Sequence, residues 1–157
     1  MDALGHYIRI HLTGSAGGIE LFSRGDAMPD ADAKAQVRRM RDELVQERKQ
    51  LLAMADRLDV RPAPFAATAA KIGERVGRLK PNGKLLQRTP MTDVVDLETM
   101  IVAVSGKIAG WESMIAVADR HDGLDAAELK GLLDQAVRQR DDLSALHAEA
   151  ASRALTR

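Results

Sequence analysis

Residues 30–58 read DADAKAQVRRMRDELVQERKQLLAMADRL, and this stretch decides the class of fold. Its apolar side chains recur at alternating steps of three and four residues, along the row Val37, Met40, Leu44, Glu47, Leu51, Met54 and Leu58. This spacing places the row on one face of an amphipathic helix that runs from about Asp30 to Leu58. Because Glu47 belongs to the row, the pattern also predicts a carboxylate among the core side chains.

The same periodicity predicts three more long helices. The first begins after Asp2 as N-cap and stops at Gly25, and the third begins at Thr89-Pro90, where threonine can cap and proline suits the first position. Asp125, with Glu128 three residues later, resembles a capping box. The predicted bounds are Ala3 to Arg24, Thr89 to Asp122 and Asp125 to Ala154.

A segment of about residues 59–90 separates the second helix from the third. It is rich in Pro and Gly, and we expect a short helix in it from about Phe65 to Leu79. Short turns join the first helix to the second and the third to the fourth, so the helices of each pair are antiparallel. The long crossover can carry the chain from the end of the second helix back to the opposite end of the bundle. The sequence therefore predicts one all-α domain over residues 1–157, a ferritin-like four-helix bundle with a long crossover.

Three sequence pieces carry a resemblance to a known family. They are YIRIHLTG at 7–14, GIEL at 18–21 and SGKIAGW at 105–111. With the helix order and the crossover, they resemble a small family of ferritin-like bacterial proteins of unassigned function. Ferritin-like metal proteins hold a di-metal centre with a Glu-x-x-His pair on each of two helices. Here Gln46 follows Glu43 by three residues and Ser144 precedes His147 by three, so the chain departs from that pattern.

Residue counts from the turn between the first two helices and the turn between the last two place several charged side chains at the same height along the bundle axis. One predicted layer at mid-height, within about one turn (~5 Å), contains His11, Glu43 or Glu47, Lys107 and Arg140. A second predicted level near one end contains Glu20, Glu98 and His147. Two carboxylates and an imidazole are suitable metal ligands, so this end level is the better candidate for a metal site.

Charge balance favours a structural role for the middle layer. Two divalent ions need a surplus of carboxylates, whereas Lys107 and Arg140 are cations already placed where metals would sit. Because an unpaired buried charge is costly, we expect these two cations to neutralise Glu43 and Glu47 directly. Two alternatives stay open at this point, a bound metal and side chains that extend to solvent.

Gly14 and Gly18 form a small-residue stripe on the first helix. The surrounding GSAGG lacks the preceding strand and the Lys-Ser/Thr ending of a phosphate-binding loop. We expect these glycines to leave room for Trp111, the single tryptophan, on the facing helix. The alternative is that they interrupt the first helix.

The segment from residue 61 to 88 is strongly basic. It has seven basic residues and one acidic residue, Glu74, and therefore a local charge of +6. Such a strip can bind nucleic acid or an acidic partner, or it can pack on an acidic bundle. The basic residues are Arg61, Lys71, Arg75, Arg78, Lys80, Lys84 and Arg88.

Composition excludes several classes of function. The chain has no cysteine, so thiol catalysis, zinc ribbons and iron–sulfur clusters are excluded, and no serine lies in a nucleophile elbow. With 23 basic and 23 acidic residues, the net charge is zero, which argues against bulk attraction to nucleic acid or membranes. The N-terminus lacks a signal-like region, which favours the cytoplasm.

We expect a non-catalytic binding protein or oligomeric scaffold without a favoured cofactor, forming a homodimer. The first alternative is an iron or manganese carboxylate protein that performs oxidation or peroxide chemistry. The second is a nucleic-acid or acidic-partner adaptor that uses the basic crossover.

Overall fold

The computed structural model describes residues 3–62 and 88–156. This part of the chain holds four long α-helices and no strand, which confirms the predicted all-α bundle. Short 3₁₀ turns follow the first helix at Ser23–Ala27 and the third at Ala118–Arg120. The helices are α1 (Ala3–Phe22), α2 (Ala31–Arg57), α3 (Pro90–Ile115) and α4 (Ala126–Leu155).

Aspartate side chains cap two of the helices, and Thr89 precedes a third at the predicted position, where its amide donates to the Thr92 hydroxyl at 3.1 Å. Asp2, the predicted cap of α1, lies outside the described residues. The Asp30 carboxylate accepts a hydrogen bond from the amide of Ala33 at 2.9 Å at the start of α2. The Asp125 carboxylate accepts from the amides of Ala127 and Glu128 at 2.8 and 3.1 Å at the start of α4. Each cap satisfies amide groups that have no partner within the helix, a contribution of about 1 kcal/mol.

The predicted ends of α1 and α3 are less accurate. α1 is one continuous helix through its glycines but ends at Phe22, and Gly25 lies inside the following 3₁₀ turn instead of stopping the helix. A Cβ at Gly25 would overlap the side chain of Val37, so this glycine allows close approach of the turn to α2. α3 ends at Ile115, seven residues before the predicted stop at Asp122.

Contacts along the helices fix their directions. Arg48 in the middle of α2 donates to the carbonyl of Leu12 at 2.5 Å, and Arg9 donates to the carbonyl of Arg61 at 2.8 Å, so α1 and α2 are antiparallel. α4 is antiparallel to α2, because Arg57 contacts Glu128 and Arg153 contacts Asp30.

α3 runs in the same direction as α2 and lies diagonally across the bundle from it. Arg24 after α1 pairs with Asp96 at one end, while His11 lies against Gly110 nearer the other, so α1 and α3 are antiparallel. Pro62 and Arg88 consequently lie at opposite ends of the bundle. The short helix predicted over Phe65 to Leu79 lies outside the described residues.

The core is filled by aliphatic and methionine side chains from all four helices. The row predicted on α2 is buried as far as Met54, and its last member, Leu58, is partly exposed. Large side chains that are almost fully buried include Ile8, Phe22, Met40, Met100 and Leu143. Each contributes about 1.5–3 kcal/mol by leaving water, so the helices are held mainly by this apolar packing. No helix in the described ranges is both long and apolar enough to cross a membrane.

The glycines that permit close packing are not the predicted ones. A Cβ on Gly14 or Gly18 would meet no atom within 4 Å, so the predicted packing of Trp111 against them is wrong, although Trp111 itself is buried. The close approach is at Gly110 instead, where a Cβ would overlap the imidazole of His11.

Gly110→Ala should destabilise the protein because the added methyl group overlaps the His11 ring. Gly131→Ala in α4 is the matched control, since a Cβ there meets no atom within 4 Å. Relative to this control, Gly110→Ala should lower the free energy of unfolding by about 1–3 kcal/mol in a urea titration. Helix propensity alone would stabilise both variants equally, because alanine is a better helix former than glycine. That result would contradict the close contact between Gly110 and His11.

Candidate functional site

The candidate site is a polar layer inside the bundle, centred on Glu47 of α2. Glu47 follows Leu44 by three residues and precedes Leu51 by four, so helix geometry points it to the core, and only 4% of its surface is exposed. A carboxylate in this position needs partners because a buried charge without them is costly.

Lys107 of α3 provides the counter-charge for Glu47. Its ammonium nitrogen lies 2.5 Å from Glu47 Oε2, and the two side chains are 17% and 4% exposed. Burial lowers the pKa of Lys107 below its ordinary 10.5, and the nearby carboxylates of Glu47 and Glu43 partly oppose that shift. The pair joins the two diagonal helices α2 and α3.

Gln139 of α4 completes the layer. Its amide oxygen accepts from Lys107 Nζ at 2.6 Å, and its amide nitrogen lies 2.9 Å from Glu47 Oε1 and 2.8 Å from Glu43 Oε2. Gln135 Nε2, one turn earlier, donates to Glu47 Oε1 at 3.1 Å. Glu47 therefore accepts from three side chains, and its charge is neutralised by one ammonium.

The layer continues to the surface through Glu43. Arg39 lies 3.4 Å from Glu43 and 2.9 Å from Asp142, and its side chain is 55% exposed. These residues line a polar groove of about 310 Å³ between α2 and α4, together with Gln135, Arg138, Gln139 and Asp141. The exposed ion pairs add little stability, so the strong part of the network is its buried end.

Arg140 does not belong to this layer, contrary to the prediction. Its guanidinium contacts Asp141 at 3.1 Å and its side chain is 40% exposed. The physical reason is rotation about the helix axis, because residue 140 points 100° away from residue 139 although both have nearly the same height. Gln139 takes the inward position, and Arg39 is the second cation beside Glu43.

His11 lies between α1 and α3, against Gly110. Its ring centroid is 4.6 Å from that of Tyr7. Desolvation by burial lowers the pKa of His11 below its ordinary 6.5. Contacts with the Tyr7 ring and Gly110 partly withdraw this imidazole from water, and the neutral ring is favoured in the folded state.

The predicted metal level at Glu20, Glu98 and His147 is not assembled. His147 Nε2 lies 3.1 Å from Glu98 Oε1, but Glu20 is on an exposed side of α1. Within residues 3–62 and 88–156, no three His, Asp or Glu side chains come together as a metal-ligand group. The Glu98 side chain is 57% exposed, so water can solvate its carboxylate and no metal ion is needed to balance its charge.

A second buried cluster at one end of the bundle was not expected from the sequence. Asp96 of α3 is 5% exposed and contacts Arg24 at 3.1 Å and Arg88 at 3.2 Å, and Arg88 also contacts Asp93 at 2.6 Å. Asp96 lies beside the predicted apolar row, and helix periodicity could have placed it at the core boundary. Its partners are Arg24 in the turn after α1 and Arg88, two residues before α3, and helix periodicity predicts neither of them.

The basic crossover falls mainly outside the described residues, where Lys71, Arg75, Arg78, Lys80 and Lys84 lie. Its two outer members are described and serve structural contacts. The carbonyl of Arg61 accepts from Arg9, and Arg88 neutralises Asp93 and Asp96.

Comparison with known proteins gives no relative for this chain: no family model, no curated protein and no solved structure matches it. The arrangement of the site itself must therefore carry the functional interpretation.

Lys107→Met should destabilise the bundle strongly, because Glu47 would lose its only buried counter-charge among the described side chains. We expect a loss of about 3 kcal/mol in the free energy of unfolding, measured in urea at pH 7. Lys130→Met, which removes a surface pair with Asp134 at 3.0 Å, is the control and should change stability little. An unchanged midpoint for Lys107→Met would show that the ion pair is unimportant.

His11 should make stability fall with acid. Because its folded pKa is lowered, the unfolded chain binds more protons below pH 6.5, and the free energy of unfolding decreases as pH falls through 6.5 towards the folded pKa. His11→Gln should reduce this slope between pH 7 and 5. His6→Gln, at an exposed position, should keep it. Equal slopes in the wild type and His11→Gln would refute the assignment.

Proposed function

We propose that this protein is a ferritin-like four-helix bundle in which an ion pair stands where metal-containing bundles hold two metal ions, and that it acts as a binding or self-associating scaffold. The observation that carries the proposal is the Lys107 ammonium, bonded to Glu47 and Gln139 in the middle of the bundle. The common direction of α2 and α3 supports the ferritin-like connectivity, because it requires a crossover between them.

The residues of the layer do not fit a di-metal centre. Two divalent ions bring about four positive charges and need several carboxylates with free oxygen atoms. Here both Glu47 oxygens accept protein donors, and Gln139 and Lys107 take up the surrounding space. A metal at this point would have to displace an ammonium from a buried carboxylate, so oxidation or peroxide chemistry through such a centre is disfavoured.

Metal loading tests this proposal. Protein purified without chelators and then incubated with excess Mn²⁺, or with Fe²⁺ without oxygen, should hold far less than one ion per chain by elemental analysis. Its melting temperature should not shift, since a ligand that does not bind the folded state cannot stabilise it. Near-stoichiometric iron or manganese, with a raised melting temperature, would overturn the proposal and favour the metalloprotein alternative.

A further inference from the structure

The side of the bundle formed by α1 and α3 exposes mainly apolar and small residues. Val102 is 71% exposed, Val95 50%, Met91 45% and, on α1, Ile10 53%. Between Thr99 and Glu112 on α3, every exposed residue is apolar or small: Val102, Ala103, Ser105, Gly106 and Ala109. We refer to Ile10, Gly14, Met91, Val95, Val102, Gly106 and Ala109 as the α1/α3 face.

Most charged residues of α3 lie away from this face, while Glu98 and Glu112 are exposed along its edge towards α4. Asp93 and Asp96 pair with arginine at one end, Glu98 contacts His147 of α4, and Lys107 points into the core. By contrast, the outer side of α2 exposes Arg38, Arg39 and Asp42. A helix that is apolar towards the core and also apolar outside is typical of one with a partner on its outer side.

We infer that the α1/α3 face is the surface through which two copies of this chain associate. This inference rests on the self-associating scaffold proposed above and names its surface. Because the residues that form the face are uncharged and Glu98 and Glu112 stay at its edge, two copies can meet on it without burying an unpaired charge. The small residues Gly14, Gly106 and Ala109 allow the helices of the two copies to approach closely.

The size of the face suits a dimer. From Met91 to Ser113, α3 extends roughly 33 Å, and two helices lying side by side over that length present a footprint of roughly 650 Å². A stable interface buries about 800 Å² per partner, which the face approaches before any flanking side chains are counted. The connecting residues 63–87 are a poorer match in chemistry, since they include five basic residues and one acidic residue, whereas the residues that form the face are apolar or small.

The experiment uses the absence of native cysteine. Val102→Cys places a single thiol on the face, and Ala148→Cys places one at an exposed position of α4 as the control. The rate of alkylation by a maleimide is measured in the full chain from low to high protein concentration. The thiol at position 102 should react progressively more slowly as concentration rises, while the thiol at position 148 should keep a constant rate.

Two results would overturn the inference. Slow reaction at position 102 at every concentration would mean that the same chain covers the face, and fast reaction at every concentration would mean that nothing covers it. The metal content of the protein is independent of all three results, so a metal-free monomer would refute self-association and its surface, while the proposal that an ion pair replaces the metal site would stand.

A charge variant gives a second, independent measurement. Val102→Glu should raise the dimer dissociation constant about a hundredfold in sedimentation equilibrium, because each copy would bury an unpaired carboxylate. Ala148→Glu should leave the dissociation constant unchanged, and circular dichroism should show both variants folded. A wild type that sediments as a monomer at high concentration, or a folded Val102→Glu that dimerises as well as the wild type, would overturn the inference.

Discussion

The buried contact between Glu47 and Lys107 is the constraint on which the rest of the structure depends. A carboxylate at 4% exposure is tolerated in an apolar core only with a counter-charge and filled hydrogen-bonding positions, and the structure supplies both. Apolar side chains can pack in many nearly equivalent ways. A buried ion pair is satisfied in one register only, so it fixes the height of α3 against α2.

The contacts of Gln139 and His11 extend this constraint to the other two helices. Gln139 is bonded to Lys107, Glu47 and Glu43 and ties α4 to both members of the diagonal pair. His11 of α1 fits over Gly110, one turn after Lys107, where no side chain could be accommodated. The ion pair, the amide and the glycine contact lie close together in height, so the middle of the bundle specifies how all four helices align.

The sequence predicts the helices and their order well because amphipathic periodicity and capping residues act locally. Asp30, Thr89 and Asp125 begin their helices as expected. The height of Glu47 and Lys107 also follows from residue counts, since the helical rise is constant. The direction in which a side chain points around the helix axis is harder to predict than its height. In α4 the buried residue after Ala136 is Gln139, three residues later, whereas a step of four residues predicts Arg140. An error of one residue at this point wrongly places the Arg140 guanidinium in the core position that the Gln139 amide occupies. The glycine contacts were missed because neither Gly14 nor Gly110 carries a signal of what faces it across the bundle.

The most direct test of this account is a double-mutant cycle on the central pair. The free energy of unfolding is measured for the wild type, Glu47→Gln, Lys107→Met and the double variant under one set of conditions. The account predicts that each single change is strongly destabilising and that the second change costs much less once the first is made, with a coupling energy of about 2 kcal/mol or more. Additive losses, with a coupling below about 0.5 kcal/mol, would contradict the claim that this ion pair organises the bundle.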